Sequence, residues 1–401
     1  MSQAAQAVPD WLLKRLQQCG GSVPFSTYME WVLHDPVHGA YGSGRLQIGP
    51  KGDFATSPSL GADFAALLAP QLADWLGRLE AEASSSRPLS LVETGPGEGS
   101  LALQLAEELT GRWPQLASRC ELVLVEPNAG MAERQRRLLE GAPMATRWCS
   151  FAELAEAPAR GVVLAHEVLD ALAVERICSD GLHWRRQRVV LREPPSAPPG
   201  LALAAVELLP PDLLPLLRPL RLEEPGPQRP SGWTTELHSG LQPWLRQASA
   251  ALTDGWLLVI DYALEAWRYY APARGDGTLL AYRRQEALTD PLLTPGCCDL
   301  TAHLCVEQLE AAAVASGWQP LGHGRQGEAL LALGLAQRLH RLQHEAAPGQ
   351  LAVLLSRREA LLRLVDPHGL GGFRWLAYGR GETARLDAPP AFLRPPASPS
   401  G

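Results

Sequence analysis

LVETGPGEGSL, Leu91 to Leu101, closes an apolar run rich in β-formers at Glu93, sets alternating glycines at Gly95, Gly97 and Gly99, and opens an amphipathic helical pattern at Ser100. Strand, glycine turn and helix in that order make the local grammar of a nucleotide-binding crossover unit. The spacing is G-x-G-x-G, and Ser100 stands where the third glycine of a dinucleotide fingerprint is required. Glu93 would sit badly against a pyrophosphate and well against a cationic ligand such as a sulfonium and its amino group. A glycine turn at a strand end also occurs for purely structural reasons.

Downstream, ELVLVEP ends in Glu126, where the next strand of such folds presents a carboxylate to both ribose hydroxyls. LSLVET, ELVLVEP, ATRWC and GVVLAHE read as successive strands, with helices over Ser100–Arg112 and Ala129–Leu139; GWLLVIDYA adds a buried strand and FRWLAYGR a closing one. This alternation predicts an α/β fold, a doubly wound parallel sheet. The fourth strand runs into AHEVLDALAVE, which puts His166, Glu167 and Asp170 at the rim of the crevice beyond the strand ends. Glu167 carries the functional expectation. His166 reads as a satisfied surface histidine and Asp170 also as a helix cap.

Before the sheet, Asp10–Cys19, Ser26–Leu33 and Ala62–Leu79 read as helices around a turn-rich segment, His34 to Gly61. Glycine and proline bracket LQIGPKGDFATSPSLG, which reads as a lid with Asp53 at the ligand's cationic or polar edge; alternatively Asp53 caps a turn and Phe54 packs on the core. Between Glu193 and Gly232 eleven prolines accumulate and the sheet pattern is expected to stop, as in an inserted substrate lobe. The expected organisation is 1–85 N-terminal helical and lid segment, 86–192 nucleotide-binding core, 193–254 Pro-rich insertion, 255–387 remainder of the core, and 388–401 a disordered tail.

Composition sets outer limits. The 401 residues are 46% hydrophobic and 20% charged, ordinary for a globular chain, and a net charge of -7 argues against a nucleic-acid groove. Seven cysteines with no CxxC spacing predict a reducing, cytoplasmic compartment, no disulfide framework and no metal site. No apolar run of about twenty residues suggests a membrane span.

The E-x-G-x-G-x-G arrangement resembles the first motif of class I S-adenosylmethionine methyltransferases. More specifically, GDFATSP (Gly52 to Pro58), ETGPGEG, LVEP, HEVLDAL, VIDYA and Asp276–Leu304, with its DGTLLAYRR and CDLTAHL, are similar in order and spacing to the MidA-like methyltransferases. That family includes a mitochondrial complex I assembly factor that is a protein arginine methyltransferase. The resemblance runs from about His34 to Trp318 and implies a class I Rossmann-like fold with S-adenosyl-L-methionine as cofactor and protein arginine as acceptor. It implies further that Glu93, Gly95, Gly97 and Gly99 border the cofactor, that Glu126 holds the ribose, and that Asp53, Thr56 and Ser57 belong to a covering loop. The partner it suggests is a subunit of an NADH or plastoquinone dehydrogenase-type complex. Thr94 and Glu98 depart from the family's usual apolar and basic residues, and the Pro-rich lobe fits it poorly.

Arginine is a hard acceptor because its guanidinium stays protonated. Two carboxylates can orient it by bidentate hydrogen bonds, the role expected of Glu167 and Asp170. Asp299, Thr301 and His303 in CDLTAHL either face the same cleft or line a half-exposed strand, and Tyr282 and Arg283 could line the acceptor channel. Two competing readings are a non-catalytic assembly factor that retains the fold and a nicotinamide-dependent oxidoreductase. The oligomeric state stays open, a homodimer being one option.

Overall fold

The computed structural model describes residues 7–46, 48, 49, 52, 53, 56–82, 87–192, 198–284, 286–288, 290–344, 351–385 and 388–396. Its main sheet has seven strands: β1 (Leu89–Thr94), β2 (Cys120–Val125), β3 (Ala145–Trp148), β4 (Ala159–His166), β5 (Leu252–Asp261), β6 (Gln319–Arg325) and β7 (Arg374–Arg380). Their spatial order is β3-β2-β1-β4-β5-β7-β6. The first five are parallel, and β7 runs antiparallel between β5 and β6.

The strands read as unbroken apolar runs because both faces of the sheet are covered. Leu91, Leu122, Leu124, Val162, Leu164, Trp256 and Leu258 enter one core with the helix Asp63–Ala81, and Trp75 of that helix stacks on Trp256 at 5.3 Å. Such a pair contributes roughly 0.5–1.5 kcal/mol beyond its buried area. Val92, Val123, Val163, Leu257 and Val259 point the other way into a second core. The strand order reverses at β1, so the carboxyl ends of β1 and β4 open a crevice where ligands of such sheets lie.

A second, five-stranded sheet joins Ser22–Pro24, Glu175–Ser179, Trp184–Arg192, Gly200–Leu208 and Thr234–Leu237, all antiparallel. Its extent corrects the expectation that strand pattern stops after Glu193. Gly200–Leu208 contains no proline, so every amide can enter a ladder, and the prolines flank it instead. The boundary drawn at 192/193 therefore falls inside one hairpin. The tail expected to be disordered also differs over 388–396: Phe392 is 2% exposed, packs on Trp375 at 5.5 Å, and its N–H donates to Gln71. Residues 397–401 lie outside the described residues.

Among the described residues no helix is long and apolar enough to cross a membrane, and no group of His, Cys, Asp or Glu has the arrangement of a metal site. All seven cysteines are free.

Candidate active site

Beyond Thr94 the chain turns through Gly95 and Gly97, both at φ 55°, and Gly99 at φ 87°. These left-handed angles suit glycine alone at little cost. A Cβ on Gly95 would stand 2.5 Å from Val168 Cγ2, and one on Gly97 2.8 Å from Ile48 Cδ1. Gly95 and Gly97 border a cavity of about 820 Å3, whereas Gly99 begins the helix Ser100–Arg112 and packs against Gln135.

The cavity runs from Glu93 and the glycine turn past Glu126 and Phe151 to His166 and Glu167, with Glu30, His34, Tyr41 and Thr56 along its other wall. Its lining includes five glutamates, Glu30, Glu93, Glu98, Glu126 and Glu167, and no Lys or Arg among the described residues. Arg134 stands behind Glu98 at 3.1 Å. Such a wall suits a cation.

Glu93 is 3% exposed, its Oε2 has no hydrogen-bond partner, and burial pushes its pKa up to about 8. Glu126 follows β2 and is fixed on both oxygens, accepting from the Asn128 N–H at 2.9 Å and from Gln135 Nε2 at 3.0 Å. The same Gln135 amide donates to the Gly97 carbonyl at 2.7 Å, and Trp148 Nε1 donates to its Oε1 at 3.0 Å. Gln135 is thus a fully buried tie between the glycine turn and the ribose-type carboxylate. Nothing in the sequence singled it out, because one Gln inside AERQRRL looks like a solvated helix face. Asn128 links the same corner to the wall by donating to the Tyr41 carbonyl at 2.7 Å.

Glu167 adopts φ 52°, a left-handed angle that costs a non-glycine residue about 1–3 kcal/mol and marks functional positions. Its N–H donates to the Ile260 carbonyl at 2.9 Å, and its Oε1 accepts from the Ser57 N–H at 3.3 Å. Asp261 at the end of β5 accepts from the Leu169 N–H at 3.0 Å and the Asp170 N–H at 3.3 Å, so it holds the turn in shape. Four buried carboxyls converge here: burial and the neighbouring acids Asp261 and Asp299 raise Glu167, burial brings Asp261 to about 7 and Asp299 to about 6, and Asp170 rises likewise. Tyr41 donates to Asp299 at 2.9 Å.

Of the residues singled out in the sequence, Thr56, Glu93, Gly95, Gly97, Glu126 and Glu167 come together around one cavity. Asp170 stands behind Glu167 and does not line it, so the two carboxylates are not side by side on one wall. Ser57 touches Glu167 by its backbone, and its hydroxyl accepts from Gln326 Nε2 at 3.2 Å. Asp53 accepts from the Arg284 N–H at 3.1 Å, on the three-stranded sheet side, outside the lining. Phe54, and with it Gln47, Pro50, Lys51 and Ala55 of the expected lid, lie outside the described residues. His166 differs from the surface reading: it is 8% exposed, Phe64 meets its ring edge-on at 5.2 Å, and it faces the cavity. Thr301 ends the strand Asp299–Thr301, and His303 stacks on Tyr262 at 5.5 Å; neither lines the cavity.

The donor set fits a cationic nucleoside: a glycine turn open for close approach, Glu126 for a diol, and the partnerless, buried oxygen of Glu93 for a positive group. A sulfonium methyl donor in that place would supply an activated methyl carbon.

A family model of S-adenosyl-L-methionine-dependent methyltransferases matches residues 67–324. A Drosophila melanogaster protein named "Protein arginine methyltransferase NDUFAF7 homolog, mitochondrial" is 28% identical over 390 residues, 92% of this chain and 84% of that one. The Danio rerio "Protein arginine methyltransferase NDUFAF7, mitochondrial" is 25% identical over 399 residues, 91% and 85% of the two chains. Among solved structures, a COG1565 superfamily member from Burkholderia thailandensis bound to S-adenosyl-homocysteine superposes with a TM-score of 0.80 at 28% identity, covering 96% of this chain and 94% of that one.

Proposed function

Since the chain belongs to this family of S-adenosyl-L-methionine-dependent methyltransferases, we propose that its acceptor is an arginine side chain of a protein, a subunit of an NADH dehydrogenase-type complex during assembly. One observation carries the reading: the cavity bordered by the glycine turn and Glu126 continues to Glu167 with five glutamates and no described Lys or Arg along its lining. Donor and acceptor are then both cations, and a wall of buried carboxyls whose ionisation a cation favours suits both. The relatives named as protein arginine methyltransferases support the same acceptor.

In this reading Glu93, Gly95, Gly97 and Glu126 hold the donor, with Thr56 and Ser57 bracing the wall opposite. Glu167 accepts hydrogen bonds from the guanidinium and aligns one nitrogen with the methyl carbon, the main demand of an in-line displacement. Asp170, Asp261 and Asp299 act from behind Glu167 through charge. Asp53 closes the segment against the strand Leu280–Arg283. The setting proposed is a reducing, cytoplasmic one, from seven cysteines scattered through the sequence with no CxxC spacing.

The test is mass spectrometry of the dehydrogenase complex from cells with and without this protein, followed by labelled methyl transfer in vitro. Glu167→Gln should lower transfer by about 100-fold or more while donor affinity stays within about threefold. Transfer at the wild-type rate by that variant would remove Glu167 from the chemistry. An unmethylated complex in both strains would favour the non-catalytic assembly factor.

A further inference from the structure

Gln135 sits in the helix Ala129–Leu138 that follows β2, between Arg134 and Arg136, and is itself 0% exposed. A neutral amide removed from water in that way is costly unless its polar atoms are matched. Here each is: Nε2 donates to the Gly97 carbonyl at 2.7 Å and to Glu126 Oε2 at 3.0 Å, and Oε1 accepts from Trp148 Nε1 at 3.0 Å. A carbonyl only accepts and an indole only donates, so the amide has one possible orientation. The three partners come from the ends of three adjacent strands: the turn after β1, the residue after β2 and the last residue of β3. Gly99 leaves room for this approach. A Cβ there would stand 3.3 Å from Gln135 Cγ, which gives the third glycine of the turn a role without contact to the cavity. Arg136 lies over the Trp148 ring, its guanidinium carbon 5.2 Å from the centroid, and steadies that partner.

We infer that Gln135 is a positioning residue that makes the enzyme select a donor with an intact ribose diol. The inference rests on the reading of Glu126 as the carboxylate that holds the ribose. An ionised carboxylate offers four acceptor sites, two on each oxygen. On Glu126 one site of Oε1 is taken by the Asn128 N–H and one of Oε2 by Gln135, which leaves one on each oxygen at the cavity wall. Two neighbouring hydroxyls need two acceptors held in one plane, and the terminal torsion of a Glu side chain is by itself broad. With the Asn128 N–H alone, the carboxylate plane is free to turn about a single contact; Gln135 supplies the second anchor and fixes the plane. Its other N–H holds the Gly97 carbonyl, so the carboxylate and the turn that border the same cavity keep a constant separation. Burial raises the Glu126 pKa, and the Asn128 N–H and the Gln135 amide oppose that rise, so the same contacts favour the ionised form that accepts twice.

Calorimetry with the full chain measures affinity for S-adenosylhomocysteine and for its 2′-deoxy and 3′-deoxy analogues. The wild type should prefer the intact diol by about ten- to hundredfold, the range for a hydrogen bond to a charged group. Gln135→Met keeps the length and removes the donors. It should bring the preference below about threefold, by weakening S-adenosylhomocysteine far more than the deoxy analogues. A residue that served packing alone weakens all three ligands in proportion and leaves the preference at its wild-type value; that result overturns the inference with Glu126 still holding the diol. If circular dichroism finds Gln135→Met unfolded, Gln135→Asn takes its place, since its amide stays polar but is one methylene too short to span both acceptors. The same loss of preference is expected of it, and a retained preference refutes the positioning role. A wild type that binds the deoxy analogues as tightly as S-adenosylhomocysteine removes the ribose reading of Glu126, and the inference with it.

Discussion

Donor affinity should follow the ionisation of Glu93. This carboxyl is buried at the end of β1 with one oxygen partnerless, and burial lifts its pKa to about 8. Below that pH the free chain carries a neutral acid there, and a cationic ligand binds best after expelling its proton. With a pKa near 8, roughly one molecule in eleven is ionised at pH 7 and about one in a hundred at pH 6, so affinity for S-adenosylmethionine should drop about tenfold, or about 1.4 kcal/mol, for each pH unit below 8. Isothermal titration calorimetry between about pH 6 and 9, run in two buffers of different ionisation enthalpy, reads affinity and proton release together. Close to one proton should be released at the acid end and fewer above the pKa. Glu93→Gln should flatten the slope and abolish the release, which separates this carboxyl from the titration of the ligand's own amino group. The sign for stability is opposite. A carboxyl whose folded pKa exceeds its unfolded value binds more protons when folded, so this group's contribution is lost as pH rises from about 4.5 to 8. The ligand-free chain should therefore melt lower at the alkaline end of that window, and the donor should offset the loss. Affinity constant across the window in both wild type and Glu93→Gln would refute the reasoning.

Gly97→Val should abolish donor binding, since φ 55° disfavours a branched residue and its Cβ would meet Ile48 Cδ1 at 2.8 Å; circular dichroism should show the fold retained, and unaltered affinity would clear the turn of the role. Asp63, 6% exposed, pairs with Arg357 at 2.6 Å and with Arg338, so Asp63→Asn should cost about 2–4 kcal/mol in urea unfolding. Those pairs hold the Asp63 pKa down, so their contribution is present above the usual carboxylate range and disappears as pH falls through the lowered value. Phe392→Ala should cost about 3–5 kcal/mol, and an effect below about 1 kcal/mol would detach the tail from the core.

The parallel sheet was legible because its strands are buried on both faces and so read as apolar runs between glycine and proline punctuation. The glycine turn, Glu93 and Glu126 were legible for the same reason: they sit at strand ends, where local order fixes their place. Gly200–Leu208 was hidden because proline density around it outweighed its own Pro-free stretch. His166 looked like a surface residue since sequence gives no measure of what the helix Asp63–Ala81 lays over it. Gln135 and Asp261 act through tertiary contacts with the glycine turn and the Glu167 turn, and no local pattern announces such contacts. Spacing alone puts Asp170 beside Glu167, and it cannot tell that Asp170 is buried outside the cavity lining.

The three residues Ser22–Pro24 pair with Arg188–Val190, across a sequence separation of 166 residues between Ser22 and Arg188. During synthesis the early strand emerges with no edge to join until the later one leaves the ribosome, a wait on the order of ten to thirty seconds at about 5–20 residues per second. Val23, Phe25 and Tyr28, buried in the finished protein, lack for that interval the later members of their core cluster, Val174 and Val189. The same delay orders assembly, because the cavity lining from Glu93 to His166 is translated before the strands Trp184–Arg192 and Gly200–Leu208, whereas Trp244 and Gln247 of the same lining follow the last strand of that sheet, Thr234–Leu237. The described lining of the cavity is therefore complete only once the strands of the second sheet have been made, so a bound donor adds its stabilisation to a chain in which that sheet can already form.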